Sequence, residues 1–237
     1  MNKGILYLLP CYLGEESSVE LFSPQAVSLY KSLLNFIVEN EKSARRFIKF
    51  IHPEVNQSHL QISTLDKNTD YFELKEVVKP LLAGKSVGYL SEAGMPCVAD
   101  PGNILVRFAH QNNIKVVPVN GPSSILLALI ASGMNGQNFT FHGYLPIEKL
   151  EKRKKIKSIE KASKDFESAQ IFMETPYRNN AILDEIVTVC NSETLLCLAS
   201  EITLETEFIS TKTISEWKKN LPDLHKKPCI FIIQADF

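Results

Sequence analysis

Val87-Gly88-Tyr89-Leu90-Ser91 is a short apolar run that gives way to Glu92-Ala93-Gly94-Met95-Pro96-Cys97-Val98-Ala99-Asp100-Pro101-Gly102, a polar loop rich in glycine and proline, and only then to a helical pattern. A buried strand that empties into a long loop ahead of a helix is the βα unit of an open α/β sheet, where ligands sit at the carboxyl ends of strands. Gly94 and Gly102 permit positive φ and close approach of backbone to a ligand. Glu92 and Asp100 can accept hydrogen bonds from ribose hydroxyls. The stretch reads either as a plain connection or as a binding loop, and connections this long are usually functional.

The chain on both sides repeats the unit. Upstream, Ile5–Leu9 reads as a buried strand. Ser23 before Pro24 reads as an N-cap with proline at the first helical position. Asn35–Val38 is a second strand, residues 43–50 a short basic helix and residues 60–65 a third strand. Asp70 and Glu73 form a capping-box pattern whose helix ends near Gly84, and residues 86–91 are the strand that leads into the loop. Downstream come a helix over 103–111 and a strand over 115–119. This alternation predicts parallel βαβ units.

Asn120-Gly121-Pro122-Ser123 breaks the pattern and opens a small-residue helix, Ser124–Ser132. Its N-terminus, with Gly121, Pro122, Ser123 and Ser124, is either a capped turn or a seat for an anion such as a carboxylate. Then follow a strand over 139–142, a lysine-rich helix over 147–163, a strand over 171–174 and a helix through Cys190 opened by Thr175-Pro176. Strands over 195–199, 205–210 and Cys229–Gln234 complete the chain, with one helix that starts at a Thr213-x-x-Glu216 capping box. Few helices separate these last strands, so their sheet is mixed or antiparallel. The expected organisation is two α/β domains, 1–119 and 120–237.

Composition agrees with this. The chain has 237 residues, 44% apolar and 22% charged, which excludes disordered, collagenous and coiled-coil classes. A net charge of −1 leaves no general basic coat for nucleic acid, though a local patch is compatible with it. The five cysteines have no Cys-x-x-Cys spacing and sit mostly in apolar runs, so they read as reduced core residues. The five histidines lack metal-ligand spacing, and no metal is expected. Gly-x-Gly and phosphate-loop patterns are absent, which removes dinucleotide and Rossmann-type methyltransferase loops. The apolar N-terminus has no signal-type cleavage site and runs into Pro10; a cytoplasmic location without membrane attachment is expected.

Taken in order along the chain, these motifs resemble the tetrapyrrole (corrin/porphyrin) methylase family, in particular its small-subunit ribosomal RNA 2′-O-methyltransferase I branch. That branch carries Ser-Asp-Ala-Gly-Thr-Pro…Asp-Pro-Gly, similar to Ser91-Glu92-Ala93-Gly94-Met95-Pro96…Asp100-Pro101-Gly102. Its Val-Val-Pro-Ile-Pro-Gly-Pro-Ser resembles Val116-Val117-Pro118-Val119-Asn120-Gly121-Pro122-Ser123. Its Ala-Ser-Gly and Phe-x-Phe-x-Gly-Phe-Leu-Pro match Ala131-Ser132-Gly133 and Phe139-Thr140-Phe141-His142-Gly143-Tyr144-Leu145-Pro146. Its Glu-Ser-Pro-His-Arg and Arg-Glu-Leu-Thr resemble Glu174-Thr175-Pro176-Tyr177-Arg178 and Ser200-Glu201-Ile202-Thr203. The chain departs at Glu39-Asn40-Glu41-Lys42 (Glu-Asp-Thr-Arg in the branch), at Glu92 and at Met95.

The resemblance implies a methyltransferase using S-adenosylmethionine, bound in a cleft between two α/β domains, in a homodimer. It implies cofactor contacts from Ser91, Glu92, Ala93, Gly94, Met95 and Pro96, from Gly121, Pro122, Ser123 and Ser124, and from Met173 and Pro228. The N-terminal domain would supply the acceptor side. The acceptor would be ribosomal or another structured RNA; a small molecule such as a tetrapyrrole, or binding without catalysis, are the alternatives. If a base is needed, Glu39, Glu92, Asp100 and Glu174 are the candidates. Lys42, Arg45 and Arg46, and Lys152, Arg153, Lys154 and Lys155 within the basic stretch 149–164, are either RNA-backbone contacts or solvated helix faces. Ile147, Leu150, Ile156, Ile159 and Ala162 give that stretch an expected apolar inner face.

Overall fold

The computed structural model describes residues 3–15, 17–66, 68, 69 and 71–235, which fall into two compact units, Met1–Ser123 and Ser124–Phe237. Unit 1 runs β1 (Ile5–Leu9), α1 (Pro24–Ser32), β2 (Asn35–Val38), α2 (Glu41–Ile51), β3 (Gln61–Thr64), α3 (Tyr71–Val77), α4 (Lys79–Leu82), β4 (Val87–Leu90), α5 (Gly102–Gln111) and β5 (Lys115–Pro118). Its sheet has the order β3-β2-β4-β1-β5, and every pairing is parallel.

Period-2 geometry sends alternate residues of each strand to opposite faces. Leu9, Phe36, Val38 and Leu90 pack against α1 and α2, while Leu6, Ile37, Val87 and Tyr89 pack with residues of α3, α4 and α5. Ser23 caps α1 as the sequence predicts, accepting the Ala26 N–H at 3.2 Å. Helix α2 starts earlier than expected, because the Asn40 side chain accepts the Lys42 and Ser43 amides at 2.9 and 3.2 Å. The single helix expected before Gly84 is split at Val78. Pro80 has no N–H to give to the carbonyl four residues back, and its ring crowds it. Asp70, half of the expected capping box, lies outside the described residues.

Unit 2 runs α6 (Ser124–Ser132), β6 (Phe139–Tyr144), α7 (Lys149–Asp165), β7 (Ala169–Met173), α8 (Asn179–Val189), β8 (Leu195–Ser200), β9 (Phe208–Thr213), α9 (Ile214–Trp217) and β10 (Cys229–Gln234). Its sheet is mixed, β6-β7-β10-β8-β9, with only β6 and β7 parallel. The Thr213–Glu216 capping box forms, and the buried Trp217 ring donates its N–H to Leu196 O at 2.9 Å.

Three expectations need correction here. The strand placed at 205–210 is β9, shifted to Phe208–Thr213 by its register against Leu195–Ser200. Thr175 makes no side-chain cap; Pro176–Arg178 is a 3-10 turn that leads into α8. In α7 the inner face is Lys152, Ile156, Ile159 and Ser163, at helical spacing, while Ile147 and Leu150 are 69% and 72% exposed. The five cysteines are free thiols, four buried and Cys97 partly so. Among the described residues no helix is long and apolar enough to cross a membrane.

Candidate active site

In unit 1 the loops that follow β1, β4 and β5 are laced together. The Cys11 amide donates to Gly94 O at 2.8 Å, the Gly94 amide to Tyr12 O at 3.4 Å, and the Cys11 thiol to Ser91 O at 3.1 Å. Gly94 has φ +66°, and a Cβ on Gly121 would lie 2.2 Å from Pro10 Cγ, so the turn after β5 can seat against Pro10 only without a side chain. Pro10 is itself anchored, since Tyr30 donates its hydroxyl to Pro10 O. Tyr12 sets its ring edge-to-face with Phe47 and Phe50 at 5.1 and 5.5 Å. These contacts bring the loop 91–96 and the turn 121–123 together, with Pro122 O 3.5 Å from where a Cβ on Gly94 would stand. The share taken by Pro10 to Tyr12 rests on contacts that no local sequence pattern announces. Its aromatic anchors lie on helices whose contact is non-local.

The loop over 91–101 is a strained segment held by one side chain. Cys97 and Ala99 sit at φ 68° and 62°, in the left-handed region that non-glycine residues avoid. Asp100 accepts the Cys97 amide at 2.6 Å, the Gly102 amide at 2.7 Å and the Tyr89 hydroxyl at 3.0 Å. Burial and the charge of Asp100 push the Cys97 thiol up to about 12.

A cleft of about 700 Å³ opens beyond β2, β3 and β4, lined by the carboxylates of Glu39, Asp66, Glu92 and Asp100 with Asn40 and Asn103. Three of the four candidate bases therefore share one cleft. Both Asp100 oxygens are taken up by the loop, and Glu92 accepts the Ser43 hydroxyl at 2.6 Å. Glu39 is half-buried and accepts the Glu92 amide at 3.0 Å on Oε1; among the described residues its Oε2 receives no hydrogen bond. Burial raises its pKa above the usual carboxylate range. The charges of Asp100 and Glu92 add to this, against the lowering effect of the Glu92 N–H.

The fourth candidate, Glu174, lies in unit 2, just past β7, and is 4% exposed. Its Oε1 accepts the Thr175 amide at 2.7 Å and the Arg178 guanidinium at 2.5 Å. Glu174 Oε2, Arg178 Nε, Asn179 Oδ1 and Ser200 Oγ are buried without partners among the described residues. All four belong to one edge of the sheet, where Met173 pairs with Ile230 and Ser200 with Cys229 at the start of β10. Pro228, at the same edge, accepts the Glu201 amide at 2.9 Å. Buried polar atoms left unpaired cost about 1–3 kcal/mol each, so such a cluster calls for polar partners, from water or from a ligand.

The basic candidates are scattered. Lys42 is exposed. Arg45 is held by Glu41 at 2.7 Å and by Gln57 O at 2.9 Å, and Arg46 pairs with Glu15. Lys152 is 7% exposed and does not belong to a surface patch, contrary to expectation. Arg153 pairs with Glu185, Lys154 with Glu151 at 2.8 Å, and Lys155 is half-buried. The reason is that consecutive helical residues point about 100° apart, so a run of four cannot share one face. The exposed basic stripe on α7 is instead Lys154, Lys157, Lys161 and Lys164, at spacings of three and four.

Residues 25–218 match the family described as Tetrapyrrole (Corrin/Porphyrin) Methylases. The chain is 30% identical to the ribosomal RNA small subunit methyltransferase I of Buchnera aphidicola subsp. Schizaphis graminum, over all of this chain and 80% of that protein. It is also 30% identical to the protein of the same name from Streptococcus pyogenes serotype M1, over 99% and 79%. Among solved structures it resembles the methyltransferase CobJ (TM-score 0.65, 14% identity, 98% of this chain and 95% of that one). It also resembles a uroporphyrin-III C-methyltransferase from Thermus thermophilus complexed with S-adenosyl homocysteine (TM-score 0.57, 16% identity, 98% of each chain). At these identities the two structures speak for the fold alone.

Proposed function

Because the chain belongs to the tetrapyrrole (corrin/porphyrin) methylase family, and is an S-adenosylmethionine-dependent methyltransferase, we propose that its acceptor is a ribose 2′-hydroxyl of ribosomal RNA and that Glu39 takes the proton. The observation that carries this is the unit 1 cleft, in which Glu39 is raised in pKa by burial and, among the described residues, has one oxygen that accepts no hydrogen bond. The RNA acceptor is supported by the names of the relatives.

The residues present suit the cofactor. Its amine and hydroxyl groups are donors, and Glu174 Oε2 and Asn179 Oδ1 are buried acceptors lacking one. In unit 1 the proposed contacts are Ser91 to Pro96 and Gly121 to Ser123, largely through backbone; in unit 2 they are Ser124, Met173 and Pro228. When bound, S-adenosylmethionine supplies an electrophilic methyl on sulfonium sulfur. The protein's own work is to hold the acceptor in line and to exclude water. Glu39 would accept the proton that the acceptor hydroxyl gives up on methylation. Four carboxylates in the cleft repel polyanions, which disfavours a carboxylate-bearing tetrapyrrole. They also require RNA to keep its phosphates outside the cleft; the exposed cations proposed to meet phosphates are Lys42 and Arg46 in unit 1 and, separately, the α7 stripe in unit 2. We extend the reading to a homodimer acting in the cytoplasm, supported for the dimer by Ile130, 77% exposed on α6.

The test uses labelled-methyl cofactor and RNA from cells lacking the gene. Label in small-subunit RNA is expected, at a linkage resistant to alkali because the 2′-oxygen is blocked. Unlabelled RNA, from protein that still binds S-adenosyl homocysteine, overturns the RNA acceptor.

A further inference from the structure

At the edge of the unit 2 sheet where β7 ends and β10 begins, two rings stand out from the protein. Tyr177, in the 3-10 turn after Glu174, is 72% exposed, and exposed His225 lies 6.2 Å from it, ring to ring, at 73°. Exposure of a single ring is by itself ordinary on a protein surface. These two are held on a stiff base. Asp223 accepts the His225 amide at 3.0 Å and the Asn180 side-chain amide at 2.7 Å, and Asn180 accepts the Leu224 amide at 2.8 Å. Pro176 O accepts the Lys226 amide at 3.0 Å, and Lys227 O accepts the Asn179 side chain at 2.5 Å. Leu224 between them is buried in the core, at 1% exposure. Lys226 is forced to φ 62°, a conformation kept only where its surroundings over-determine it. Five hydrogen bonds and an apolar anchor thus fix both turns, while the Tyr177 ring remains open to solvent.

The charges nearby are mostly spoken for. Arg178 is tied to Glu174, and Lys227 to Glu201 at 3.3 Å; Lys226 is exposed. A rigid open ring with little free charge around it suits the flat face of a base better than a phosphate. Unpaired RNA bases are recognised by stacking on such rings.

We propose that Tyr177, backed by His225, is a stacking platform for an unpaired base of the RNA acceptor, a statement that rests on the RNA reading above. It lies at the same sheet edge as the unpartnered Glu174, Asn179 and Ser200 atoms. The platform selects for an acceptor presented in a loop or single strand.

The test compares wild type, Tyr177→Ala, Tyr177→Phe and His225→Ala for binding to a fluorescent single-stranded RNA oligonucleotide and to its duplex, over a range of salt. Thermal unfolding and S-adenosyl homocysteine binding serve as controls. Losing a stacked base at the low end of measured values gives Tyr177→Ala about a fivefold weaker single-strand affinity, or more. Tyr177→Phe should stay within about twofold of wild type because it keeps the ring, and the salt slope should not change, since stacking neutralises no phosphate. The duplex should lose less than the single strand. Wild-type affinity in Tyr177→Ala, or an equal loss in Tyr177→Phe, overturns the platform. Wild-type protein that labels RNA while Tyr177→Ala binds it normally sinks the platform alone. Wild-type protein that neither binds nor labels RNA sinks the RNA reading, and the platform with it.

Discussion

Glu39 carries a charge only at some cost to the fold. Burial first, then Asp100 and Glu92, keep its pKa above that of an unfolded glutamate, so the native state holds the proton to higher pH than the unfolded chain does. Stability therefore falls as pH rises from the unfolded value through the raised one, and the full cost is felt above it. Glu39→Gln removes that cost. Its expected outcome is loss of methyl transfer by a factor of about 10²–10⁴ with a melting temperature at neutral pH equal to wild type or higher. In wild type the rate should drop on acidification through a pKa above the ordinary carboxylate range, which a pH–rate profile will show. Asp100 has a structural part instead. Its carboxylate accepts three hydrogen bonds, so Asp100→Ala should destabilise unit 1 by about 2–4 kcal/mol, read by denaturant unfolding. Both residues are visible as acids in the sequence. What separates a base from a loop organiser is which N–H groups reach each oxygen, and that is set by turns whose left-handed residues, Cys97 and Ala99, carry no sequence signature.

Helix α7 teaches the same lesson one level up. Its existence and length are readable from composition and period, yet four consecutive cations suggest a patch that helical geometry disperses. The face that survives in solvent is Lys154, Lys157, Lys161 and Lys164, spread over about 15 Å of axis at 1.5 Å per residue. Reversing Lys154, Lys157 and Lys161 to glutamate should weaken RNA binding. It should also flatten the logarithmic salt slope by about 2, at roughly 0.7 per lost phosphate contact on a single strand. A slope unchanged from wild type would return the face to plain solvation. This differs from the Tyr177 variant, which leaves the slope alone. The strands were legible where burial is two-sided, as in the wholly buried Val87–Leu90, and displaced where pairing sets the ends, as in β9. Register is a property of two strands, and neither sequence alone contains it.

Across the whole molecule, the parallel first sheet and the mixed second one follow from how helices punctuate strands, and both are present. Ligand linkage should stabilise it: S-adenosyl homocysteine at about 100 times its dissociation constant adds about 2.7 kcal/mol, measurable as a raised melting temperature. No shift with either the cofactor or its demethylated form would contradict cofactor binding. The strand order of the first sheet has one more consequence, for how the chain is made. Strand β1 is synthesised before its neighbours β4 and β5, which lie about 80 and 110 residues later. At a synthesis rate of about 5–20 residues per second, Ile5–Leu9 waits roughly 4–20 s with both edges and both apolar faces unsatisfied. Nascent chains stopped before Val87 should therefore hold an interior strand with neither neighbour and be more prone to aggregate than chains released past Pro118, which carry every strand of the sheet.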